Sequence, residues 1–233
     1  MAATMAATTA GAAAQHVRLG IVDNDRLVLQ ALAGGLTRAL GGGFAVLWAV
    51  PEGLEALDRC SREGSAPDLL LVDVSMEDIS GIRVCRAIRH DDPRMLLLAM
   101  TSFTLESYAP QVAAAGAQGI VAKDDVHGIA RAVRAVADGG LWNAELVRGA
   151  DVPFASPGEA YLRLRAERNH ELSVRETQIV DRCARGWPYA RTALALGIGE
   201  ATVRTYVERA CRKLGAANRQ QLIALWLDER RRE

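Results

Sequence analysis

The stretch LLLVDVSMED, residues 69–78, decides how the first half of this chain is read. Four consecutive apolar residues have the length and branching of a strand buried on both faces, which is the habit of a strand inside a parallel sheet. That strand delivers Asp73 directly into a run that holds two further acids, Glu77 and Asp78. Asp73 is therefore either a turn residue or a reactive group, and its surroundings must decide.

Working outward, short β-like runs fall at 17–22, 44–50, 95–100 and 119–122, and helical periodicities at 26–40, 53–63, 81–90, 104–115 and 125–138. Five βα units predict a parallel sheet covered by helices on both faces, because parallel strands need long, right-handed crossovers. A site in such a sheet lies beyond the carboxyl ends of its strands. Gly41-Gly42-Gly43 stands between a helix and a strand and lacks both the phosphate-loop lysine and the dinucleotide spacing, so it reads as a loop.

Half of the 233 residues are hydrophobic, enough for two modest domains. No apolar run approaches the roughly 18 residues of a membrane span, and the Ala/Thr-rich start has neither a basic segment nor a long aliphatic one. Residues 1–16 read as a disordered tail and the chain as cytoplasmic. Cys60, Cys85, Cys183 and Cys211 stand far apart, as do His16, His90, His127 and His170, which argues against a zinc site or a histidine-centred triad. The zero net charge hides an asymmetry: residues 160–233 hold 15 Arg/Lys against 9 Asp/Glu, and residues 1–159 hold 13 against 19. A basic C-terminal segment suits a phosphate-backbone partner, although a solvated charged surface gives the same count.

Placed on the expected sheet, Asp23, Asn24 and Asp25 follow the first strand, Asp73 the third, Thr101 and Ser102 the fourth, and Lys123 the fifth. Each alone would pass as a turn or capping residue. Together they would form one crevice of carboxylates, a hydroxyl and an amine. Adjacent carboxyl and amide oxygens are hard ligands suited to Mg²⁺; a carboxylate can accept a phosphoryl group whose oxygens a threonine and a lysine then bind. Lys123 is one of only two lysines beside 26 arginines, so its position at a strand end is informative.

On these residues (IVDND, LVDVSM, Gly81, MTS and GAQGIVAKD) segment 17–139 resembles the receiver domain of bacterial two-component response regulators. The resemblance implies a five-stranded, doubly wound parallel sheet of flavodoxin-like form. It implies Asp73 as acceptor of phosphate from a sensor histidine kinase, Thr101 and Lys123 as readers of the acyl phosphate, and Asp23, Asn24, Asp73 and the Ser75 carbonyl near Mg²⁺. Three positions depart from the family pattern: Asn24 replaces an acid, Glu77 a proline, and Ile120 the aromatic residue that usually answers the threonine.

Residues 140–171 read as a linker, with Pro153 and Pro157 opposing regular structure and Tyr161–Glu171 a helix leading into the next domain. Beyond it every pattern is helical. Ser173 with Glu176 forms a capping box, and Gly186 is placed to end that helix. Ala193, Gly197 and Val203 have helix-turn-helix separations, with Leu196, Ile198, Val203 and Tyr206 as shared core. The last helix of that pair turns Arg204, Thr205 and Arg209 away from its apolar stripe, as a major-groove helix would, although a plain helical hairpin has the same spacing.

Segment 172–233, through LSVRE, ARG, LALGIGEATVRTYV and RKLGAANRQQLIAL, resembles the LuxR/NarL-type all-α DNA-binding domain. By that resemblance Arg204 and Thr205 face bases, Thr202 and Lys213 face phosphates, and Leu222, Leu225 and Trp226 meet a partner in a homodimer. The combined expectation is a DNA-binding transcription regulator, not an enzyme, with double-stranded DNA, a histidine kinase and a second copy as partners and no membrane. A regulator whose receiver works without phosphorylation is the alternative. A phosphatase-like enzyme would need an acid where Ser75 stands.

Overall fold

The computed structural model describes residues 16–143, 152–166 and 172–232. The expected tail at 1–16 lies outside them except for His16, as does the end of the expected linker helix at 167–171.

Five parallel strands, β1 (Val17–Val22), β2 (Phe44–Val50), β3 (Leu69–Asp73), β4 (Leu96–Thr101) and β5 (Gly119–Ala122), form one sheet in the order β2-β1-β3-β4-β5. The crossovers carry α1 (Arg26–Leu40), α2 (Gly53–Cys60), α3 (Gly81–Asp91) and α4 (Leu105–Ala114), and α5 (Val126–Ala137) follows β5. Alternate strand residues feed two cores. Leu19, Ile21, Leu69, Leu71, Leu98, Met100 and Val121 pack with α1 and α5, whereas Val22, Val50, Leu70, Val72, Leu97, Ala99 and Ile120 pack with α2, α3 and α4. All five residues of β3 are buried, as a central strand requires. At Gly20 a Cβ would lie 2.6 Å from the Trp48 ring, so the glycine makes room for that indole between β1 and β2.

Asp25 caps α1 by accepting the N–H groups of Leu27 and Val28. Gly41–Gly43 forms one turn of 3-10 helix that leads into β2. Arg89 is fully buried: its guanidinium donates to the carbonyls of Gly116, Asp92 and Met95 and to the Gln118 side chain, and burial pulls it down to about 10. Gln118 in turn donates to the Ala155 carbonyl, which ties the linker to the sheet edge.

The linker departs from expectation. Its helix α6 spans Pro157–Ala166 and begins at the proline, which suits a first helical turn because that position needs no N–H donor. Helix α6 buries Ala160 and Leu164 and donates from Arg163 to the Ala113 carbonyl of α4. Trp142 bridges to Gly119 of β5.

The remaining helices are α7 (Val174–Ala184), α8 (Tyr189–Leu196), α9 (Glu200–Lys213) and α10 (Arg219–Arg232). Both halves of the Ser173/Glu176 capping box are formed. Gly186 and Gly197 take the left-handed φ of 80° and 64° that ends a helix without a Cβ clash. The buried stripe of α9 is Val203, Val207 and Ala210; Tyr206 is only half-buried and Val207 takes the central place.

Candidate functional site

The four strand ends converge. Asp23, immediately beyond β1, and Thr101, the last residue of β4, are fully buried, and Asp73 closes β3 at 2% exposure. Lys123, just past β5, places its Nζ 2.7 Å from Asp23 Oδ2 and 3.0 Å from Asp73 Oδ2. One ammonium thus bridges two carboxylates that are 50 residues apart in the chain. The backbone is pinned around it: Lys123 N–H donates to the Thr101 carbonyl at 3.0 Å and Val74 N–H to the Met100 carbonyl at 2.9 Å.

The Asp73 carboxylate also accepts the Ser75 N–H on Oδ1 at 3.2 Å. Its pKa is nevertheless raised. Burial is the largest cause and the Asp23 charge adds to it, together outweighing Lys123 and the Ser75 N–H. The pocket sets two carboxylates, Asp23 and Asp73, against the single ammonium of Lys123. Thr101 Oγ1 accepts the Phe103 N–H at 3.1 Å, which holds the start of the β4–α4 loop.

The flanking residues divide. Asn24 is exposed at the mouth. Asp25 spends Oδ1 on the α1 cap, and its own N–H donates to Asp23 Oδ1 at 3.0 Å. Among the described residues no three His, Cys, Asp or Glu side chains gather as a metal cluster. The structure brings Asp23 and Asp73 to one ammonium, and two carboxylates against a single lysine are a donor set that would fit a hard cation such as Mg²⁺ that keeps several waters. Ile120 is fully buried in the sheet core.

Gly81 closes the acceptor loop. Its N–H donates to the Val74 carbonyl at 3.0 Å, and a Cβ there would sit 2.0 Å from the Asp73 carbonyl oxygen. Between them, Asp78 does something the sequence did not announce: its two oxygens accept the N–H groups of Gly53 and Leu54, at 3.1 and 3.0 Å, and so cap α2 from another loop. Only proximity reveals this, because the partners are 24 and 25 residues away.

On the second domain, Thr202, Arg204, Thr205, Arg209 and also Arg212 are exposed along α9. Thr205 Oγ1 donates back to the Ala201 carbonyl, and the Arg209 guanidinium lies 5.7 Å from the Tyr206 ring centre. Lys213 differs: its Nζ is 2.7 Å from Oε2 of the buried Glu176, so it is joined to the capping box of α7. On α10, Leu222 is fully buried and Trp226 is 3% exposed, with the Arg83 guanidinium of α3 lying 4.5 Å from its ring, whereas Leu225 is 36% exposed.

Residues 19–134 match the response regulator receiver domain, and residues 170–226 match the bacterial regulatory proteins of the luxR family. The DNA-binding transcriptional activator DevR/DosR of Mycobacterium tuberculosis is 31% identical over 209 residues, covering 88% of this chain and 91% of that protein. The nitrate/nitrite response regulator NarP of Escherichia coli is 28% identical over 198 residues, 82% of this chain and 86% of NarP. A LuxR-family response regulator from Aurantimonas shares the fold, with a TM-score of 0.51 at 24% identity over 65% of this chain and 99% of that one. Both halves of the chain and their order thus agree with one group of proteins, and the chain belongs to the NarL/FixJ family of two-component response regulators, a receiver domain joined to a LuxR-type helix-turn-helix domain.

Proposed function

We propose that this regulator is a cytoplasmic transcription factor whose Asp73 takes a phosphoryl group from a sensor histidine kinase, and that phosphorylation governs homodimer formation and duplex binding through α9. The observation that carries the reading is the Lys123 bridge between Asp23 and Asp73. A carboxylate nucleophile must attack phosphorus through one oxygen while a cation holds the incoming anion nearby. Asp73 Oδ2 faces Lys123, and Thr101 ends the neighbouring strand, where its hydroxyl is placed to turn toward a phosphoryl oxygen. Asp23, Asn24, Asp73 and the Ser75 carbonyl would hold Mg²⁺, which supplies neutralisation of the phosphoryl charge. Lys123 keeps Asp23 and Asp73 together against their mutual repulsion.

On α9, Arg204 and Thr205 are assigned to base edges and Thr202 and Arg209 to the groove backbone; all four side chains are exposed. Lys213, paired with Glu176, would need to exchange that partner for a phosphate. Leu222, Leu225 and Trp226 are assigned to the dimer, for which Trp226 would have to leave Arg83.

The test is incubation with acetyl phosphate and Mg²⁺ followed by intact mass. The expected result is a gain of one phosphoryl group in the wild type and none in Asp73→Ala; an equal gain in both, or none in either, rejects the reading. A phosphorylation-independent regulator is the second reading. It is favoured by the commitment of Asp25 to the α1 cap, which leaves Asn24 without a substitute acid. Equal duplex affinity of Asp73→Asn and wild type, with and without phosphodonor, would select it.

A further inference from the structure

What α9 can read depends on which of its faces is turned outward. Its buried stripe, Val203, Val207 and Ala210, seats the helix against α7 and α8. With about 100° between successive residues, the side chains standing opposite that stripe are Ala201, Thr205, Glu208 and Arg212, spaced by four, three and four residues. All four are exposed, with Arg204 on one flank of the line and Thr202 and Arg209 on the other.

An acid in the middle of that line is out of keeping with its neighbours. The other acid of α9, Glu200, sits in the first turn, where a carboxylate suits the positive end of a helix. Glu208 lies two turns further on. Among the described residues its carboxylate takes part in no hydrogen bond or ion pair, although Arg204 and Arg212 stand one turn before and one turn after it. Those two arginines line one surface groove with Glu208, so the carboxylate would approach a duplex between two cations.

Base edges in the major groove differ in what they offer a carboxylate. Cytosine presents its N4 amine and no acceptor, guanine presents the N7 and O6 acceptors, thymine the O4 acceptor, and adenine an N6 amine beside the N7 acceptor. Only cytosine supplies a donor without an adjacent lone pair to repel the acid. Thr205 reads beside it: its hydroxyl donates to the Ala201 carbonyl at 3.1 Å, which leaves the methyl as its contact group, a match for a thymine methyl. Three helical residues advance about 4.5 Å against a base step of about 3.4 Å, so Thr205 and Glu208 address neighbouring base pairs.

We propose that Glu208 is a specificity-determining residue of α9, accepting a hydrogen bond from the N4 amine of a cytosine and excluding guanine and thymine from that position. The assignment rests on the proposed duplex-binding function and adds to it the identity of one base.

Selection from a library of randomised duplexes tests it, using the full chain with and without acetyl phosphate and Mg²⁺. The wild type should enrich a site with cytosine at one position, bound about tenfold tighter than the same site with guanine or thymine there. Glu208→Gln should move that one preference to adenine, whose N6 and N7 a carboxamide matches, and leave the other positions unchanged. Glu208→Ala should lose the preference without gaining another, and equal urea midpoints check that both variants fold. Identical base preferences in wild type and both variants overturn the assignment, as does a preference that depends on Glu208 for any base but cytosine. So does a gain in affinity that is the same for every sequence, because a carboxylate that merely repels phosphates acts on all duplexes alike. A wild type that enriches no duplex rejects the proposed function and this assignment with it. Enrichment that is indifferent to position 208 but lost in Arg204→Ala rejects the assignment alone.

Discussion

At the scale of single residues, the acceptor pocket works by crowding unlike charges and allowing no slack. Asp73 is buried beside Asp23 with one ammonium between them, an arrangement that stability alone would not select. Gly81 sets its tightness. A methyl group 2.0 Å from a main-chain oxygen cannot be relieved by a side-chain rotation, so Gly81→Ala should cost about 3 kcal/mol or more, read as a lower urea midpoint with an unchanged slope. Asn24 sets the charge. Asn24→Asp should tighten Mg²⁺ binding about tenfold by calorimetric titration, because a third carboxylate joins the oxygen set; an unchanged constant would place position 24 outside the metal's reach. The acidic pocket was legible from strand-end positions. The Lys123 bridge was not, because a sequence states which residues end strands and not which oxygen faces which ammonium.

At the scale of elements, ion pairs stitch segments whose contact no local pattern encodes. The family resemblance implied a phosphate partner for Lys213; in the structure the end of α9 lies by the start of α7, and Lys213 pairs with Glu176. Lys213→Met would take from that carboxylate, 4% exposed, its cation partner and leave it the Ser173 N–H, and should destabilise the second domain by about 3 kcal/mol in chemical unfolding, whereas Arg204→Ala should weaken duplex binding without moving the midpoint. Arg18 of β1 grips Asp68, ahead of β3, through two guanidinium bonds, and that side-chain hydrogen bond holds the Asp68 carboxyl below its ordinary 3.8. A depressed acid contributes stability above its unfolded value and loses it as pH falls through the lower folded value. Asp68→Asn should therefore be less stable than wild type at neutral pH, with the gap closing below about pH 4. Both side chains are more than 40% exposed, so screening keeps the gap under about 1 kcal/mol. The linker follows the same logic: Pro157 reads as a breaker in isolation, but with α3 and α4 beside it the proline opens a helix that packs back on them.

At the scale of the whole molecule, the apolar cluster that begins under α2 and ends at Trp226 joins two domains that composition had set apart by charge. The seam converts that charge asymmetry into contact, Asp58 and Asp78 of the receiver against Arg182 and Arg185 at the end of α7. Domains so joined should unfold together: scanning calorimetry of the wild type should show a single merged transition, and Asp58→Asn should resolve it into two. Two separated transitions in the wild type would show that the seam contributes nothing to cooperativity. By itself the sequence determined the order of strands and helices, the polar set at the strand ends and the helix-turn-helix, because periodicity, caps and glycines act within a few residues of one another. Only the tertiary structure decided that Asp78 caps α2, that Lys213 pairs with Glu176 and that α7 lies on the receiver. Those contacts join residues far apart in the chain, and burial patterning says that a face is covered without saying by what.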